Sequence, residues 1–153
     1  MRGRNRYLLL VDDDPAITAA LARELQTWAQ ARLLSILVAS SAEEALEFVK
    51  ERGRDILMVL ADLRLPGMGG SDLLVGLSLS QPHIVSLLLT DVLDLDEIIK
   101  SSKADVFSVI GKPWDPWNLR LELSMAFDIA ENRAIASPEA RHAEFSSRQD
   151  LEA

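Results

Sequence analysis

Tyr7-Leu8-Leu9-Leu10-Val11-Asp12-Asp13-Asp14-Pro15 is the stretch that decides the fold of this chain. Five apolar residues without a polar break suit a strand buried on both faces, as in a parallel sheet covered by helices. The acids that follow stand at the carboxyl end of that strand, where open α/β sheets build their sites. Adjacent carboxylates repel, so such a cluster costs stability unless something offsets its charge. A hard, oxygen-seeking cation such as Mg²⁺ is the usual compensation. Asp14-Pro15 has a structural explanation, because Asp is a good N-cap and Pro is tolerated at the first helical position. Asp12 and Asp13 have no comparable job, which marks them as metal candidates and Asp14 as a cap.

Working outward, apolar runs alternate with segments of helical period. Strands are expected at Tyr7 to Val11, Leu34 to Ala39, Ile56 to Ala61, Ile84 to Leu89 and Val106 to Ile110. Helices are expected at Pro15 to Ala31, Ala42 to Glu51, Ser71 to Leu79, Leu95 to Ser101 and Pro116 to Arg133. Ser41 followed by Glu44 offers a capping-box start for the second helix. Repeated β-then-α order means an α/β fold, a doubly wound parallel sheet with right-handed crossovers and helices on both faces. Strand order is not readable from the sequence alone. Residues 1–136 read as one domain and residues 137–153 as a polar tail or linker.

Composition narrows the function classes. At 153 residues, 48% hydrophobic and 26% charged, the chain reads as a globular domain. A net charge of −8 and the lack of a basic cluster argue against nucleic acid and anionic membrane as partners. There is no cysteine, so disulfides and thiolate metal sites are excluded; a cytoplasmic setting is the expectation. No apolar segment approaches the length of a membrane span.

Asp62 ends the run Ile56-Leu57-Met58-Val59-Leu60-Ala61 and is followed by Leu63-Arg64-Leu65-Pro66-Gly67. It therefore shares the sheet edge of Asp12 and Asp13. Three carboxylates from two strands can hold one ion while an oxygen is left to attack phosphorus, as aspartyl-phosphate chemistry requires. Thr90 ends Ile84 to Leu89 and brings a hydroxyl to that edge. Lys112 follows Val106 to Gly111 and brings a point charge for a phosphoryl oxygen. Singly these residues are ordinary. Together they deliver one phosphate-relevant side chain from each of four strands, and phosphoryl transfer needs just such positioning and charge neutralisation. Lys112-Pro113 also permits a cis peptide.

With these residues assembled, the chain resembles a response regulator receiver domain of two-component signalling, of the chemotaxis-regulator kind, over about Arg6 to Asn132. The resemblance implies a flavodoxin-like five-stranded sheet of order 2-1-3-4-5. It implies that Asp12 and Asp13 bind Mg²⁺ (or Mn²⁺) together with Asp62 and the backbone carbonyl of Arg64. Asp62 is then the phosphoacceptor, with Thr90 as switch hydroxyl and Lys112 as phosphate-binding cation. The implied partners are a histidine kinase or histidine phosphotransfer protein, and a downstream protein or fused output domain. The latter would use the face formed by Asp94 to Ser101, Val106 to Ile110 and Pro116 to Arg133. Such a domain is a phosphorylated signalling module, with self-catalysed phosphotransfer and autodephosphorylation in place of enzymatic turnover. Gly111-Lys112-Pro113-Trp114-Asp115 is similar to receivers of cyclic-di-nucleotide phosphodiesterases and hybrid kinases.

Two positions depart from that pattern, and the segment Asp55 to Asp62 is longer than the family's usual third strand. Receivers usually carry an aromatic residue three before the lysine, where this chain has Val109, and a small residue after the threonine, where it has Asp91. Phe107 is expected on the same strand face as Val109 but not at the matching position. These departures also fit a degenerate receiver acting as a constitutive interaction module. A third reading takes Asp12 as nucleophile and Asp14 as general acid of a haloacid-dehalogenase-like phosphatase, but leaves Asp62 and its Pro-Gly turn unexplained. Trp28 is expected to pack the first helix on the sheet. Trp114 and Trp117 are either interface anchors or, for Trp117, a staple beneath the last helix; His83 and His142 are given no role.

Overall fold

A computed structural model describes residues 5–91 and 105–135. The expected helix Leu95 to Ser101 and the polar tail lie outside the described residues. Strands β1 (Tyr7–Val11), β2 (Ser35–Ala39), β3 (Ile56–Asp62), β4 (Val85–Thr90) and β5 (Ser108–Gly111) form one sheet. Its order is β2-β1-β3-β4-β5, with every pairing parallel. That is the doubly wound arrangement expected, with its order reversal between β1 and β3.

The buried runs feed two layers by simple alternation. Leu8 and Leu10 face helices α1 (Pro15–Ala31) and α4 (Pro116–Ile135), joining Leu21, Leu25, Leu119 and Leu123. Tyr7, Leu9 and Val11 face α2 (Ala42–Arg52) and α3 (Gly70–Ser80), joining Ala45, Val49, Leu73 and Leu77. Leu8, Leu9 and Leu10 are wholly buried, so truncating any of them to Ala would cost about 2–5 kcal/mol.

Local signals set most boundaries. Asp14 caps α1, its carboxylate accepting the Ala16 N–H at 2.9 Å, with Pro15 in the first turn. Ser41 caps α2 through the Glu44 N–H at 3.0 Å, but the return half of the expected box is displaced. Glu44 accepts from the N–H and hydroxyl of Ser40 instead, at 3.3 and 2.8 Å. A 3-10 turn at Gly53–Asp55 leads into β3, which carries a register slip: Tyr7 faces Ile56 while Leu8 faces Met58. Skipping Leu57 lets seven consecutive residues stay buried while Asp62 still ends level with the other strands.

Two side-chain expectations are corrected and a third is extended. Phe107 precedes β5, where strand alternation does not yet hold, and packs against the cluster that Ile110 enters, while Val109 is 40% exposed. Trp117 is not a staple: it is 72% exposed on α4. Trp28 is buried in the core cluster as expected, and it also ties α1 to α4. Its ring meets Phe127 edge-on at 6.2 Å, and its indole N–H donates to Ser124 Oγ at 2.9 Å.

Candidate functional site

Asp12 is held at the end of the β1–β2 ladder by its N–H, which donates to the Ala39 carbonyl at 3.1 Å. Its Oδ1 accepts the Asp14 N–H at 2.9 Å, which fixes the carboxylate and turns Oδ2 toward Lys112. Asp62 is the last residue of β3, paired with Leu89. Its Oδ1 accepts the Arg64 N–H at 3.2 Å. Lys112 follows β5, and its Nζ donates to Asp12 Oδ2 at 2.7 Å and Asp62 Oδ2 at 3.1 Å. Thr90 ends β4 opposite Gly111, is buried, and accepts the Lys112 N–H on its carbonyl at 2.8 Å. The Lys112–Pro113 bond is cis. The side chains of Asp12, Asp62 and Lys112 thus meet at one sheet edge, where Thr90 also ends its strand.

One carboxylate oxygen from each of Asp12, Asp13 and Asp62 lies within 4.8 Å of the others. A cation with bonds of about 2.1 Å gathers oxygens no more than roughly 4 Å apart. The three carboxylates could hold a divalent cation: Asp12 and Asp62 are buried, and Asp13 is exposed and free to adjust. Asp14 spends an oxygen on its cap instead.

The electrostatics are those of a charged site built in a partly dry place. Burial pushes the Asp62 carboxyl above the usual carboxylate range; the hydrogen bonds from Lys112 and Arg64 oppose this, and Asp12 adds to it. For Lys112, burial works against the ammonium, but the bonds to Asp12 and Asp62 outweigh it and raise its pKa. Asp62 is therefore a carboxylate whose charge is incompletely compensated by protein groups.

Some supporting residues carried little signal in the sequence. A Cβ at Gly70 would lie 2.0 Å from the Asp62 carbonyl oxygen, so the loop after Asp62 closes over that carbonyl only because residue 70 has no side chain. The Gly69-Gly70 pair was its sole trace. Glu43 Oε1 accepts the Met68 N–H at 3.2 Å and braces the same loop from α2. The Trp114 indole N–H donates to Glu24 Oε2.

The family model of the response regulator receiver domain matches residues 8–124. The chain belongs to the response regulator receiver family. It is 30% identical over 138 residues to the transcriptional regulatory protein ZraR of Klebsiella oxytoca, covering 90% of this chain and 29% of that protein. It is 33% identical over 106 residues to the DNA-binding transcriptional regulator NtrC of Klebsiella pneumoniae, covering 69% of this chain and 21% of that protein. This receiver therefore corresponds to less than a third of the relatives it matches. Among solved structures, the signal receiver domain of an HD domain-containing protein from Pseudomonas fluorescens Pf-5 superposes with a TM-score of 0.77 at 28% identity. That match covers 84% of this chain and 99% of the other. The chain is thus a receiver domain of the two-component signalling kind. Among the described residues, no helix is long and apolar enough to cross a membrane.

Proposed function

We propose that this receiver accepts a phosphoryl group on Asp62 from a phosphohistidine donor, a histidine kinase or phosphotransfer protein, in the cytoplasm. The observation that carries the reading is the Lys112 ammonium bridging Asp12 Oδ2 and Asp62 Oδ2 beside a third carboxylate, Asp13. An Asp62 oxygen attacks phosphorus, the P–N bond of phosphohistidine breaks, and its electron pair returns to the imidazole. Asp12, Asp13, Asp62 and the Arg64 carbonyl would hold Mg²⁺, or Mn²⁺ with similar ligand preference. When bound, the cation neutralises charge developing on the phosphoryl oxygens. Lys112 exchanges its bond to Asp62 for one to a phosphoryl oxygen and stays charged throughout. The Thr90 hydroxyl, at the adjacent strand end, donates to another.

The acyl phosphate then shifts a pre-existing equilibrium between two conformations, and a downstream protein or fused output domain reads the change. We assign residues 1–136 to the receiver unit and 137–153 to a tail or linker. The output face would be that of Asp94 to Ser101, Val106 to Ile110 and Pro116 to Arg133, on which Val109, Trp117, Leu121 and Met125 are exposed. Val109 in place of an aromatic favours one second reading, a constitutive interaction module.

Incubation with acetyl phosphate and Mg²⁺ distinguishes the two. A single base-labile mass increment, abolished by Asp62→Asn, is expected of the phosphoacceptor. Absence of any increment selects the constitutive module, and an increment that survives Asp62→Asn removes Asp62 from the role.

A further inference from the structure

Trp114 and Glu24 stand 90 positions apart and meet outside the acidic cluster, the Trp114 Nε1–H donating to Glu24 Oε2. Glu24 is on α1, the helix that Asp12 to Asp14 lead into, and Trp114 is two residues beyond Lys112. Both are half-buried, and the indole rests against the core cluster between the sheet, α1 and α4. A hydrogen bond onto a carboxylate is about twice as strong as a neutral one, and partial burial shields it from competing water.

The other ties on the lysine loop run elsewhere. Lys112 N–H donates to Thr90 O, which fixes the loop to β4. Asp115 Oδ2 accepts the Asn118 N–H at 3.0 Å, which fixes it to α4. The Trp114–Glu24 bond adds α1. It links the strand end that supplies the cation with the helix whose entry supplies the acids.

We propose that Trp114 and Glu24 are a positioning pair: their bond holds the loop after β5 against α1 so that the Lys112 ammonium keeps bridging Asp12 and Asp62. A lysine side chain has four rotatable bonds and high rotamer entropy, so its head is aimed only as well as its backbone is fixed. Release of the loop lets the ammonium wander, and misplacement by about 1 Å costs up to about 100-fold in a positioned reaction. The kinetic part of this inference rests on the phosphoacceptor reading; the placement of the ammonium does not.

The test uses the full chain with Trp114→Phe, Glu24→Gln, Glu24→Ala and the double variant Trp114→Phe/Glu24→Ala. Two quantities are read: the rate constant of labelling by saturating acetyl phosphate, and the exchange protection of the Lys112 ammonium by ¹⁵N NMR. Trp114→Phe keeps the ring packing and removes only the N–H, so it should slow labelling about tenfold and leave the donor KM in place. It should also abolish the protected ammonium signal. Glu24→Gln, which keeps an acceptor oxygen, should stay near wild type, whereas Glu24→Ala should match Trp114→Phe. The double variant should fall no further than either single one, because all three remove the same bond. A protected ammonium and a wild-type rate in both Trp114→Phe and Glu24→Ala overturn the proposal, as does an additive double variant. If the wild type takes no label while the ammonium signal follows the expected pattern, the phosphoacceptor reading fails and the positioning pair stands.

Discussion

Lys112 Nζ lies closer to Asp12 than to Asp62, at 2.7 Å from Asp12 Oδ2 against 3.1 Å from Asp62 Oδ2. A residue expected to serve the phosphoryl group is thus also a counter-ion to a metal candidate. The ammonium and a divalent cation then compete for the same carboxylate charge, since two positive charges a few ångströms apart repel strongly even with effective screening.

Removing that competitor should tighten magnesium binding. Lys112→Met is expected to lower the Mg²⁺ dissociation constant about tenfold, on the order of 1.4 kcal/mol, while slowing labelling of Asp62. Asp13→Asn should do the reverse to the metal and shrink the increase in melting temperature that Mg²⁺ produces in the wild type. Calorimetric titration and thermal melts measure both. Weaker binding in Lys112→Met would mean that the lysine organises the acids instead of competing for them.

The raised pKa of Asp62 sets the sign of a stability effect. A carboxyl whose folded-state value lies above its unfolded value binds more protons in the folded state across the window between them. Its contribution is most favourable below the unfolded value and is lost as pH rises through the folded value. Above that window the ionised Asp62 is therefore a net burden, and there Asp62→Asn should stabilise the protein in magnesium-free buffer. The gain should fade as the pH is lowered through that window. Denaturant titrations at several pH values would show it; a destabilised Asp62→Asn at neutral pH would mean that the Lys112 bond outweighs burial.

The glycines after Asp62 differ sharply in what they tolerate. Gly70→Ala forces a Cβ to 2.0 Å from the Asp62 carbonyl oxygen, a backbone atom that cannot step aside, and should cost about 2–3 kcal/mol. Gly67→Ala meets the flexible end of Glu43 at 3.1 Å, and its burden comes from a φ of +75°, worth about 1 kcal/mol. Because the Gly70 clash bears on Asp62 itself, Gly70→Ala should also slow labelling. Equal stability losses in the two variants would contradict this ranking.

The sequence was most legible where a local signal coincides with a tertiary need. Asp14-Pro15 both ends the first loop and caps a helix, and α1 runs over Pro15–Ala31 as expected. Strand-end Asp12, Asp62, Thr90 and Lys112 could be placed on one edge because a parallel sheet aligns its carboxyl ends, whatever the strand order. The order itself needed the family resemblance, since each β–α unit is locally alike. What stayed hidden depends on distant partners: Glu24 and Trp114 meet across 90 positions with no pattern to announce it. Phe107 escapes the strand alternation because β5 begins only at Ser108.

Val109 bears on how a signal would leave the site. An aromatic at this position can sweep between exposed and buried placements as the threonine moves; valine is short and stiff at χ1, so it has little to sweep. It is 40% exposed already, and its neighbour Ile110 is locked in the core cluster, leaving β5 little freedom to repack. The segment after Thr90 begins with exposed Asp91, a carboxylate next in sequence to the strand end that carries Thr90. Like charges there repel, so the segment has a direct electrostatic reason to respond. Phosphorylation, or beryllofluoride as acyl-phosphate mimic, is therefore expected to shift amide signals mainly over Asp91 to Lys103 and less over Val106 to Ile110. Asp91→Ala should reduce the larger set of shifts without preventing labelling. Chemical-shift mapping decides the matter. Large changes centred on Val109, with residues 91–103 quiet, would show that strand β5 transmits the signal without an aromatic.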